Sequence, residues 1–154
     1  MKLVLYIFVL LVLSCVEVAA QRLTVSVLGS PVVTVNTASA YQNGITVNNT
    51  TLKVSARNNT AWTLQVYATS ANLTSGVNTI PVSQVSMRAI NTDCTVFPAF
   101  NLSTANQLIA EDRILRAQDK VTNISIDYSL TGGATLLKPA GNYTTTLTFT
   151  ATLL

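Results

Sequence analysis

The chain of 154 residues is long enough for one ordinary domain and too short for two large ones. Only 10% of its residues are charged, against roughly 25% in typical soluble proteins, yet 49% are hydrophobic, which excludes charge-driven disorder. Histidine is absent and only two cysteines occur, so histidine-based acid–base catalysis, His-ligated metals and Cys–His nucleophiles are excluded by composition.

Residues 1–20 have the layout of a secretory signal peptide. Lys2 supplies the positive start, Leu3 to Leu13 form an 11-residue apolar run, and Val18-Ala19-Ala20 places small residues before Gln21. That run is too short for a bilayer, which takes about 20 residues, and no later stretch is longer, so no integral membrane span is expected. Val12-Leu13-Ser14-Cys15 offers an alternative, a lipid anchor on Cys15, although bulky Leu13 suits lipidation less well than ordinary cleavage. Both routes take the product out of the cytoplasm. Cleavage at Ala20 leaves a single domain of residues 21–154 with Cys94 as its lone cysteine, so no internal disulfide is expected. Cys94 is read as a small buried hydrophobe, since neighbouring Asp93 opposes a thiolate.

From Gln21 onward, alternation with period two dominates, as half-buried strands require. Leu23, Val25 and Val27 make the first short run, and Val32 to Val35 a second after Pro31. Leu52, Val54 and Ala56 alternate with Lys53, Ser55 and Arg57, and Asn58-Asn59 marks a turn. Trp62, Leu64, Val66 and Ala68 follow, so these two runs predict an antiparallel hairpin with the Trp62, Leu64 and Val66 side chains in the core. Val85, Met87 and Ala89 give a weaker strand. Ala110 to Lys120 is the one helix-like piece, with Ile114 and Leu115 among charges. Ile124, Ile126, Tyr128 and Leu130 alternate with Ser125, Asp127 and Ser129, placing Ile126 and Tyr128 in the core. The last strand starts after Pro139, Gly141 and Asn142, with Tyr143, Leu147 and Phe149 inward and five threonines from Thr144 to Thr152 outward. This pattern predicts an all-β fold, an antiparallel two-sheet Ig-like sandwich of about seven to eight strands. A closed barrel is the alternative.

The residues for chemistry are scarce. The five acids after the leader are Asp93, Glu111, Asp112, Asp119 and Asp127, and none forms an evident pair across a cleft. Glu111 and Asp112 are adjacent and point to opposite sides of an extended chain. No nucleophile elbow and no phosphate loop is present, so no enzyme activity, cofactor or metal is expected. The eight basic residues after the leader are scattered without interleaved aromatics, which argues against nucleic acid as a partner. Asn-X-Ser/Thr triplets at Asn48, Asn58, Asn72, Asn101, Asn123 and Asn142 are read as incidental in so Asn- and Thr-rich a chain. Its distinguishing material is polar but neutral: 23 Thr, 13 Asn and 11 Ser fill 47 of the 134 residues from Gln21 on. Such a surface repels its own copies weakly and gives edge strands few charged guards.

Leu52-Lys53-Val54-Ser55-Ala56, Ala61-Trp62-Thr63-Leu64-Gln65-Val66, Ile126-Asp127-Tyr128-Ser129-Leu130 and Pro139-Ala140-Gly141-Asn142-Tyr143 with a Thr-rich last strand carry a resemblance. The chain from Leu52 to Leu154 resembles secreted bacterial Ig-like β-sandwich surface proteins of the pilin and adhesin kind. Its Trp-X-Leu element is also similar to WxL-type surface domains. The resemblance implies a structural or adhesive subunit, secreted, periplasmic or on the cell surface, that self-associates or joins other surface subunits. Pilins of that kind are completed by an N-terminal strand of the next subunit. Leu23, Val25 and Val27 are the candidate donor strand here; the alternative is that residues 23–28 pair within their own domain. Those pilins commonly carry a disulfide, which this chain lacks beyond its leader. The other functional expectation is a soluble periplasmic or extracellular module that binds a glycan or a protein.

Overall fold

The computed structural model describes residues 23–154; the expected leader, Cys15 included, lies outside them. The fold is an antiparallel all-β sandwich. Its strands are β1 (Leu23–Leu28), β2 (Ile45–Ala56), β3 (Trp62–Ala68), β4 (Asn72–Ser75), β5 (Asn78–Pro81), β6 (Val85–Ile90), β7 (Thr95–Val96), β8 (Phe100–Asn101), β9 (Gln107–Asp112), β10 (Lys120–Leu130) and β11 (Leu147–Leu153). One sheet has the order β1-β2-β10-β6-β8, the other β11-β3-β9-β7, and β4-β5 forms a separate hairpin. Eleven described strands exceed the seven to eight expected because β4, β5, β7 and β8 have only two to four residues, too few to show a period.

Alternation places the core where the pattern predicts. In β3, Trp62, Leu64, Val66 and Ala68 are buried between half-buried neighbours, and in β10 Thr122, Ile124, Ile126 and Tyr128 repeat the pattern. Apart from that of Thr122, these side chains meet Leu52, Val54, Met87 and Ile109 in one cluster between the sheets. Leu147 and Phe149 lie partly buried against it. Tyr143 does not reach the core: it precedes β11, is half-buried, and its hydroxyl donates to the Pro139 carbonyl at 2.8 Å. Residues 143–146 form no continuous ladder, being held by the isolated Thr74–Thr144 bridge and by the Thr69 N–H, which donates to the Thr146 carbonyl at 2.9 Å, so the regular terminal strand starts four residues later than the alternation suggests.

Three other local expectations change. β2 and β3 form no hairpin, because they belong to opposite sheets and residues 57–61 cross the sandwich between them. Val32 to Val35 take no regular structure, and Ala110 to Lys120 contains the end of β9, a loop and the start of β10. The helix lies elsewhere, at α1 (Ala38–Asn43), where the Thr37 hydroxyl caps it by accepting from the Ala40 N–H at 3.1 Å.

The long β2–β10 ladder carries a bulge, since Ile126 faces Thr50 while Asp127 faces Asn48. Gly29, at φ +85°, turns the chain after β1 directly over the bulged Asn49 carbonyl, which any Cβ there would strike. Beside the bulge, the Thr50 and Tyr128 hydroxyls are shut off from water, and neither has a well-formed hydrogen bond. Burial pushes the Tyr128 phenol up to about 12, with the Thr50 hydroxyl pulling weakly the other way. A phenol whose folded value is raised loses stability as pH climbs from its unfolded value near 10 towards 12, because the unfolded chain ionises first. Urea unfolding of the wild type and of Tyr128→Phe should therefore agree to within about 1 kcal/mol at neutral pH. By about pH 12 the wild type should have lost on the order of 2 kcal/mol more than the phenylalanine variant. Equal pH profiles would place Tyr128 in contact with water.

Candidate functional site

Two regions stand out from the general surface: a charged cluster at one end of the sandwich, and the edge where β1 and β11 lie side by side. The charged cluster is built by the end of β9 and the start of β10. Asp112 follows Ala110 on the inward parity of β9 and is carried into the interior, only 4% exposed. There Lys120 Nζ donates to Asp112 Oδ2 at 2.8 Å and to the Asp93 carbonyl at 2.6 Å. The Ile114 N–H donates to Asp112 Oδ1 at 3.0 Å, and Arg116 Nε stands 3.9 Å from Oδ2. Asp119 accepts from the Asn58 N–H at 3.0 Å, and the Asn59 N–H donates to the Arg116 carbonyl at 2.6 Å. The cluster thus fastens the 57–61 crossing and the 91–94 loop to the β9–β10 connection.

Its chemistry is that of a fastening. The Asp112 and Asp119 carboxylates both have partners, and the depression lined by Arg57, Thr60, Trp62, Asp112, Arg116 and Lys120 measures about 10 Å³. That is room for about one water, against the 300–1,000 Å³ of small-molecule sites. Cys94 lies at its margin, and burial pushes its thiol up to about 11, with Lys120 opposing and Asp112 and Asp93 reinforcing the rise. A thiol held protonated in this way is a poor nucleophile. Among the described residues, no group of three or more Cys, Asp and Glu side chains converges as metal ligands would. Nor, among them, is any helix long and apolar enough to cross a membrane.

The edge region differs in every respect. β1 borders one sheet and β11 the other, on the same side of the sandwich, and they lie against each other. Neither contains a charge or a proline. Among the described residues, β1 pairs only with β2 and β11 only with β3, so each carries an unpaired row of backbone N–H and C=O groups. The opposite edges, β7 and β8, have two residues each, a length that offers little template.

The candidate donor residues Leu23, Val25 and Val27 all fall on β1, which runs antiparallel to β2 from Leu23 opposite Ala56 to Leu28 opposite Thr51. Leu23 and Val25 pack against the core, whereas Val27 is 49% exposed although it shares their parity. On β11 the same thing happens at the other end, where Leu153 is 40% exposed. Sequence reasoning missed the Asp112–Lys120 pair. The available signal was the inward parity of Asp112 behind Ala110, masked by six charges of cancelling sign between Glu111 and Lys120. Comparison of the chain with family models, curated proteins and solved structures finds no match.

Proposed function

We propose that this protein is a non-enzymatic, extracytoplasmic structural or adhesive surface subunit of bacteria, pilin-like in that it assembles through strand pairing. The observation that supports this reading is the edge region. Natural sandwiches guard long edges with charges, prolines, bulges or cover, because an unguarded edge pairs with another chain. Here the two longest edges, six and seven residues, are uncharged and lie together on one side. The neutral Thr-, Asn- and Ser-rich surface adds little repulsion between copies. A signal-type leader at residues 1–20 fits the location.

The binding-module reading has less behind it. Trp62, the largest ring in the chain, is 1% exposed and offers no face on which a sugar can stack. Velocity sedimentation of the purified protein over rising concentration tests the proposal. Reversible or stable assemblies are expected, and fractionation of the producing cell should find the protein outside the cytoplasm. A monomer at every concentration, with a cytoplasmic location, would overturn it.

A further inference from the structure

β11 reads Leu147-Thr148-Phe149-Thr150-Ala151-Thr152-Leu153, a sequence that is nearly the same in both directions about Thr150. Antiparallel pairing of this strand with itself about a two-fold axis places Leu147 opposite Leu153, Thr148 opposite Thr152, Phe149 opposite Ala151 and Thr150 opposite its own copy. Threonines then meet threonines on the outer face and apolar side chains meet apolar ones on the inner face, the pairings antiparallel sheets favour. A two-fold interface requires this kind of self-complementarity, since each patch must fit its own image.

The surroundings carry the same symmetry. Ala56 and Trp62 lie at one end of the sandwich, where they border the same small depression. Leu23 is opposite Ala56 and Leu153 opposite Trp62, so both mark that end, while Val27 and Leu147 mark the other. The two inward-parity residues left open, Val27 at 49% and Leu153 at 40%, therefore sit at opposite ends of the seam. Self-pairing of β11 brings the Leu153 of one copy over the Leu147 and Val27 of the other, twice. No charge on either strand opposes the approach.

We propose that this protein forms a two-fold dimer in which β11 continues the sheet β11-β3-β9-β7 into the same sheet of a second copy, with the axis at Thr150. The proposal rests on the surface-subunit reading for its use of the uncharged edge, and it names the partner as a second copy. Thr150 is exposed, so changing it leaves the core untouched.

Cross-linking tests the register. In an antiparallel pair, directly opposed Cα atoms lie about 4.5–5.5 Å apart, within disulfide reach. Thr150→Cys should give a disulfide-linked dimer under mild oxidation. Thr148→Cys should not, because its two copies would be about 13 Å apart along the strand. Thr148→Cys mixed with Thr152→Cys should cross-link again. Thr150→Lys sets two ammonium groups face to face and should shift sedimentation to the monomer with an unchanged circular dichroism spectrum.

If Thr150→Cys links no better than Thr148→Cys, or Thr150→Lys leaves the assembly intact, the two-fold pairing is overturned. Larger polymers without the Thr150 link would overturn it while sustaining the surface-subunit reading. A wild type that is monomeric throughout would overturn the dimer, and the surface-subunit reading falls with it only if the protein is also found in the cytoplasm.

Discussion

Trp62→Ala is expected to cost about 3–5 kcal/mol, the range for removing a large aromatic from a packed core. Domains of this size have about 5–15 kcal/mol in total, so the variant should lose roughly a fifth of its stability or more. The reason is position as much as size. Trp62 opens β3, is 1% exposed, and stands opposite Leu153 on one side and Asp112 on the other. It therefore supports the last residue of the uncharged edge and the buried end of the charged cluster together. Trp62→Phe keeps a ring in the same place and should lose clearly less. Urea denaturation of the three proteins measures the order, and a loss below about 1 kcal/mol for the alanine variant would mean that the site is not packed core.

The second large effect is expected at Lys120. Its ammonium is the closest charge to a carboxylate that is itself only 4% exposed. Lys120→Met removes it and leaves the Ile114 N–H at 3.0 Å and Arg116 at 3.9 Å as the remaining support of Asp112. Removing one member of a buried pair costs about 3–5 kcal/mol, and the remaining support places this case near the lower bound. The double change Lys120→Met with Asp112→Asn should regain part of the loss, since no uncompensated charge then stays inside. Chemical denaturation of the two single variants, the double variant and the wild type forms the cycle that isolates this coupling. A loss for Lys120→Met of the size found for exposed pairs, below about 1 kcal/mol, would show that Asp112 reaches water.

The strands most legible in the sequence are those that bury one face along their whole length. β3 and β10 show this most clearly, because water on one side and core on the other impose period two. The same period says nothing about which sheet a strand joins. Asn58-Asn59 reads as a hairpin turn, yet the chain there passes from one sheet to the other, a step of about 10 Å that residues 57–61 are long enough to span. Helix α1 has only six residues, under two turns, so no helical period develops.

Tyr143 shares the parity of Phe149 but lies before the ladder of β11 begins, and parity ceases to report burial where pairing stops. The Asp112–Lys120 pair is a long-range product of the β9–β10 connection, and in sequence it is only two charges among six. The edge region lies between these cases. The absence of charges on β1 and β11 is plain in the sequence, whereas their placement together on one side depends on the strand order.

That placement is tested most directly by amide hydrogen exchange of the wild type at low and high concentration. The outward amides of Leu147–Leu153 should become protected as the assembly forms, while those of β7 and β8, on the far edges, keep their exchange rates. Assemblies whose new protection falls elsewhere, with β11 exchanging as it does in the dilute protein, would contradict assembly through this edge.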